Sequence, residues 1–313
     1  MQEYEVRELT EDEYELWNNL VEMSHEGTVF DLTDLLVICS KNLSKKLTVY
    51  GCFKNDELVG GLSLFSSKYK GFQIYSSICE MTPYGGIIFK NKETTKIREK
   101  EKNYNNIIDA IQKKILDIKY DSISLTNSPS FLDVRPFTWN GWNSKVRYTY
   151  CFKLDSDIDS TISRNVRRSL KKAQKNDISI EEKKNASMFY DLFNATYSKQ
   201  GLNPPVSKKF ISDLLDLIYA KNMGEMWIAK TPEDEIASAE IIVYDNKRAY
   251  RWAAAADPSF KDTEATTFLL HNIFHILAER GYDQINLMAA NTPHLTKFVS
   301  SFNPTLVPYF SIE

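Results

Sequence analysis

The chain has 313 residues, 42% of them hydrophobic and 26% charged, the composition of a globular protein with room for about two domains. Its 39 Lys plus Arg stand against 42 Asp plus Glu, a net charge of −3, which excludes a global positive field for DNA. The small glycine and proline content, 11 and 10 residues, excludes collagen-like and low-complexity character.

In chain order, the first signal is acidic: Glu3, Glu5, Glu8, Glu11, Asp12, Glu13 and Glu15 lie where a secretory signal would be basic and then apolar. No apolar run is long enough to span a membrane, so a cytoplasmic protein without an integral membrane segment is expected. Cys39, Cys52, Cys79 and Cys151 form no CxxC pair and sit in apolar surroundings, which predicts buried thiols. Alternation predicts strands near 47–53, 58–66 and 72–79. A helix near 103–118, a strand at 121–126, a short helical stretch and a strand at 145–152 follow.

The second half repeats this order. Strands are predicted at 225–230, 236–244 and 249–256, then a helix at 265–280, a strand at 283–289, a helix at 293–301 and a strand at 305–312. The stretch from Tyr120 through Leu125, with Asn127 and Pro129 behind it, parallels that from Tyr282 through Leu287, followed by Asn291 and Pro293. The charged loop Asn91–Lys102 has no counterpart in the second half. Three strands with short connections form an antiparallel meander, and the next strand returns parallel through the long helix. The fold class is therefore α+β, with one mixed sheet in residues 1–154 and another in 155–313. The boundary is placed in the polar link Leu154-Asp155-Ser156-Asp157.

Three groups of residues carry chemistry. Arg164, Arg167, Arg168, Lys171, Lys172 and Lys175 share one helical face, with Ile162, Val166, Leu170 and Ala173 on the other. Such a face is either solvated or holds a polyanion, a diphosphate-linked precursor or a tRNA end. Glu240 lies in an apolar strand that hairpins through Asp245-Asn246-Lys247-Arg248. A turn centred between Asn246 and Lys247 sets Glu240 opposite Ala253 and diagonal to Arg251, within side-chain reach. The pair reads either as structural or as a carboxylate tuned to accept a proton, a role Asp257 also fits. The small residues Ala253–Ala256 either let a helix pack closely or leave the strand's backbone open to a ligand. His271 and His275 have i, i+4 spacing, but two ligands do not make a site, so no metal is expected.

The element order, twice over, resembles the FemAB-like transferases, which are built from two tandem GNAT-like domains. Pro83-Tyr84-Gly85-Gly86 resembles a PYGG segment of the first domain, and Asn165 through Ala173 resembles the basic helix that opens the second; Tyr197–Pro205 followed by Phe210 is a further mark. The resemblance implies an acyltransferase that carries an acyl or aminoacyl group to an amine, on a cell-wall (peptidoglycan) or polysaccharide precursor, with the active site in the second domain. It implies that Tyr197 and Gln200 line the acceptor channel, beside which Arg251 and the helix cations Arg167, Arg168, Lys171 and Lys172 are the other candidate substrate-binding residues. The donor is aminoacyl-tRNA or acyl-CoA, with no tightly bound cofactor. The chain has no room for the helical arm of bridge-forming members, which weighs against tRNA. The segment Pro258–Thr266 lacks the Gly-rich acetyl-CoA signature, with Asp262 or Thr263 expected as helix cap and Glu264 in the first turn repelling a diphosphate. Two other functions remain open: a non-catalytic module for anionic polymers, and a CoA-dependent acetyltransferase of small molecules.

Overall fold

The computed structural model describes residues 4–154, 157–198, 201–288 and 290–313. The chain divides into two units, one of Met1–Arg147 with Pro308–Glu313 and the other of Tyr148–Val307. The polar link at Asp155 and Ser156 lies outside the described residues. The division falls earlier than that link because a strand predicted for the first domain pairs in the second, as its register shows below.

In the first unit, β1 (Tyr4–Glu8), α1 (Tyr14–Met23) and α2 (Thr33–Leu43) precede the meander β2 (Lys46–Lys54), β3 (Glu57–Tyr69) and β4 (Phe72–Ser76). A short strand, β5 (Ile87–Phe89), pairs with β3, and α3 (Ile97–Leu116) crosses over to β6 (Ser122–Thr126). The crossover sets β6 parallel to β4, with Ile74 opposite Ser122. Its buried face is a row of Ile107, Ile108, Ile111 and Ile115 at helical spacing, packed in a core with Leu62, Leu64, Phe89, Leu125 and Phe137. The short helix α4 (Arg135–Thr138) leads into β7 (Ser144–Lys153), in which the chain leaves this unit at Arg147.

The second unit continues with α5 (Ile158–Thr161), α6 (Arg164–Lys175), β8 (Ser179–Glu182), α7 (Ala186–Ser198) and α8 (Lys208–Ala220). Its meander is β9 (Gly224–Lys230), β10 (Ile236–Tyr244) and β11 (Ala249–Ala256), followed by α9 (Ala265–Glu279), β12 (Gln284–Met288), α10 (Pro293–Val299) and β13 (Thr305–Ile312). As in the first unit, the meander is antiparallel and the strand after the long helix is parallel, with Ala249 opposite Ile285. The core gathers Val166, Leu170 and Ala173 of α6, Leu269, Leu270, Ile273 and Leu277 of α9, and Phe152, stacked on Phe274 with ring centroids 4.3 Å apart.

The final strands are distributed differently from the sequence reading. β7 pairs antiparallel with β12 of the second unit, Ile285 opposite Phe152. The end of β13 pairs antiparallel with β6 of the first, Ser311 opposite Thr126. Periodicity locates both strands but carries no information on which edge they join.

Beyond Ser76 the first unit is stitched to β6 by its own chain. Ser77 N donates to Ser124 O at 2.9 Å, Thr126 N to Ser77 Oγ at 2.8 Å, and Gly85 N to Thr126 O at 3.0 Å. Ile87 N donates to Asn127 Oδ1 at 3.2 Å. The two glycines of the Pro83–Gly86 segment permit this closeness. A Cβ on Gly85 would stand 2.2 Å from Ser77 O, and one on Gly86, whose φ is +147°, 2.4 Å from Asn127 Oδ1. Gly86→Ala is therefore expected to destabilise the protein by at least about 1–3 kcal/mol, measured by urea unfolding. A variant as stable as the parent would show that this segment does not need its glycine.

Candidate functional site

The second unit has no equivalent stitch among its described residues. Paired positions of β11 and β12 are Ala249 with Ile285 and Tyr250 with Asn286, and none follows. Met288, at the end of β12, takes a left-handed backbone with φ +55°, which turns that strand out of register. Ala253–Ala256 meanwhile stay paired to Ser238–Ile241 of β10. The described pairing of β11 with β12 thus ends before the four alanines, whose small side chains leave the backbone approachable.

A β-bulge sets the geometry just before the alanines. Ile241 faces Ala253 but Ile242 faces Arg251, so Trp252 is the extra residue. Glu240 consequently faces Ala254, one position from the expected Ala253, because hairpin counting assumes a ladder without bulges. The diagonal meeting with Arg251 still forms. Arg251 Nε donates to Glu240 Oε2 and Nη2 to Oε1, both at 2.7 Å. The Glu240 side chain is 0% exposed and that of Arg251 10%, and the guanidinium stands over the Phe298 ring at 5.5 Å. Both carboxylate oxygens face Arg251, a geometry that holds an ion pair rather than offering a lone pair to a substrate amine.

Asp257, at the end of β11, is half-buried, and its Oδ1 accepts from Ser259 N at 2.8 Å and Ser259 Oγ at 2.6 Å. It caps the 3-10 turn Pro258–Thr263. Of the two expected helix caps, Thr263 Oγ accepts from Ala265 N at 3.3 Å, whereas the cap position itself belongs to Glu264, with φ +64°. Tyr197, on α7, packs edge-on against Phe193, with centroids 4.8 Å apart, and burial raises its pKa, so the phenol stays protonated at neutral pH. Gln200 lies outside the described residues.

The basic face of α6 is as the spacing predicts. Arg164, Arg167, Arg168, Lys171, Lys172 and Lys175 are exposed, while Val166, Leu170 and Ala173 are buried. Ser163 caps the helix by accepting from Val166 N. Arg167 Nη1 donates to Asp159 O at 3.1 Å. Among the described residues no carboxylate pairs with any of the six. The sequence reading did not find the bulge at Trp252 or the left-handed Met288; no residue pattern signals either.

Residues 160–294 match the family model of the acetyltransferase (GNAT) domain. The matched stretch is similar to a GNAT acetyltransferase domain. It coincides with the unit that holds β11 and β12, the Glu240–Arg251 pair and the basic helix. Among solved structures, FemX superposes with a TM-score of 0.72 at 12% identity, covering 98% of this chain and 96% of FemX. L-PGS from Bacillus licheniformis gives 0.57 at 11%, over 98% and 92% of the two chains. A tandem GNAT protein from the clavulanic acid biosynthesis pathway gives 0.52 at 10%, over 99% and 98%. These likenesses extend the fold, a GNAT-like arrangement occurring twice, over the whole chain. No curated protein matches it in sequence.

Removing one member of the buried pair leaves a charge without a partner. Glu240→Ala is expected to lower stability by about 3–5 kcal/mol, and Arg251→Ala by a similar amount, in urea melts. A change below about 1 kcal/mol in both would mean that the pair is solvated in solution.

Proposed function

We propose that the protein is an N-acyltransferase whose acceptor is an amine on an anionic cell-envelope or polysaccharide precursor. The end of the described β11–β12 pairing before Ala253 carries this reading. A strand edge with small side chains accepts an extended acyl donor, and backbone N–H groups along Ala253–Ala256 stabilise the oxyanion of the tetrahedral intermediate. Arg251, held by Glu240, adds positive charge behind this edge. The neutral amine attacks the acyl carbon and forms the C–N bond; the ester or thioester bond breaks; Asp257 takes the amine proton and the leaving group gains one. Glu240 thus positions Arg251, and the base is assigned to Asp257. Tyr197 is assigned to the acceptor side.

The basic face of α6 supports an anionic acceptor. Six cations with no carboxylate partner among the described residues repel one another, and a diphosphate bound among Arg167, Arg168, Lys171 and Lys172 relieves that repulsion. The donor is aminoacyl-tRNA or acyl-CoA. The N-terminus of α9 disfavours seating a CoA diphosphate there, since Glu264 at its cap brings negative charge and no glycine opens the backbone.

The test is a transfer assay with panels of acyl-CoA and aminoacyl-tRNA donors against diphosphate-linked amino-sugar and peptide acceptors. Asp257→Asn, which keeps an oxygen for Ser259, is expected to lower the single-turnover rate about 10²–10⁴-fold with little change in melting temperature. Wild-type turnover in this variant would remove Asp257 from the mechanism.

Replacing Arg167, Arg168, Lys171 and Lys172 together by Gln is expected to weaken acceptor binding at least about tenfold at low salt and to flatten its salt dependence. Unchanged affinity would leave the face merely solvated. No transfer from any donor, with polyanion binding intact, would identify a binding module instead.

A further inference from the structure

The sequence offered two histidines at i, i+4 spacing and no third ligand near them. The fold supplies one. Asp159 of α5 stands against α9, its Oδ1 2.8 Å from His271 Nε2 and 3.6 Å from His275 Nε2. One ligand atom from each of the three residues lies within 4.8 Å of the others. All three residues belong to the second unit.

We propose that Asp159, His271 and His275 form a binding site for a divalent transition metal of the zinc class. Tetrahedral zinc with bonds of about 2.0–2.1 Å holds its ligand atoms roughly 3.3 Å apart. The Asp159 contacts bracket that spacing, and the side chains of His275 and Asp159, 41% and 65% exposed, are free to adjust to it. His271, 12% exposed, is the fixed member. Two imidazoles and one carboxylate suit zinc, cobalt or nickel, whereas magnesium and calcium prefer oxygen-only sets. Three protein ligands leave a fourth position for solvent.

The position gives the metal a structural consequence. Asp159 sits in the turn that precedes the basic helix, and its carbonyl oxygen already accepts from Arg167 at 3.1 Å. Coordination would fasten that turn to α9 at the surface, beside the core that Ile158 already shares with Leu270 and Phe274. It also places a doubly charged cation with an open position near Arg167.

The experiment uses the full chain without an affinity tag, stripped with a chelator and dialysed. Calorimetric titration with zinc chloride and the visible spectrum of the cobalt-loaded protein report binding and geometry. One equivalent should bind, raise the melting temperature because only the folded chain presents all three ligands, and give the absorption of tetrahedral cobalt. His275→Ala and Asp159→Asn, both at exposed positions, should each weaken zinc affinity at least about tenfold while the circular dichroism spectrum stays unchanged. His25→Ala, in the first unit, should not. Absence of saturable binding at about 100 μM zinc, far above the free levels at which structural zinc sites fill, would overturn the proposal, as would variants that bind like the parent.

Discussion

A carboxylate with no access to water has to be answered by a positive group, and in the second unit Glu240 is answered by Arg251. That requirement fixes more than one contact. Side chains alternate along a strand, so a one-residue slip of β11 against β10 would turn Arg251 to the opposite face and leave Glu240 alone. The pair therefore pins the register on both sides of the bulge, with Trp252 as the extra residue. Beyond the bulge run the four alanines, where β11 has no described pairing with β12. The ion pair is thus the anchor of the strand end on which the proposed chemistry depends. Its energetic worth lies in what breaking it would cost, since a buried pair gains little over an apolar one.

The two units show what the same element order can be used for. Each has an antiparallel meander, a crossover helix and a parallel return strand. In the first, the chain after β4 closes the space beside β6 through Ser77, Gly85 and Asn127, and two glycines make that closure sterically possible. In the second, the described pairing of β11 with β12 stops at Tyr250 and Asn286, and small side chains follow on β11.

Much of this was legible in the sequence because it rests on periodicity. The strands of both meanders, the long helices and the basic face of α6 follow from apolar spacing. The Glu240–Arg251 contact follows from strand alternation, which survives a bulge between the partners as long as both stay on one face. What was not legible depends on tertiary choices. Periodicity placed β7 and β13 but not their partners, because an edge strand's apolar residues fit either sheet. α8 carries a readable row in Phe210, Ile211, Leu214, Leu215 and Ile218, whereas β5 is three residues long and too short for any period. Asp159 joined His271 and His275 only when the fold brought α5 against α9, since nothing in its neighbourhood distinguishes it from other surface acids.

The central claim is that the acyl donor lies along Ala253–Ala256 in the second unit. Hydrogen exchange of the whole chain, followed peptide by peptide with and without the donor that supports turnover, tests it most directly. The account predicts slowed exchange confined to residues 250–257, with residues 72–90 and 122–128 unaffected. Slowing over the first unit's Ser77–Gly86 segment, with none at the alanines, would contradict it.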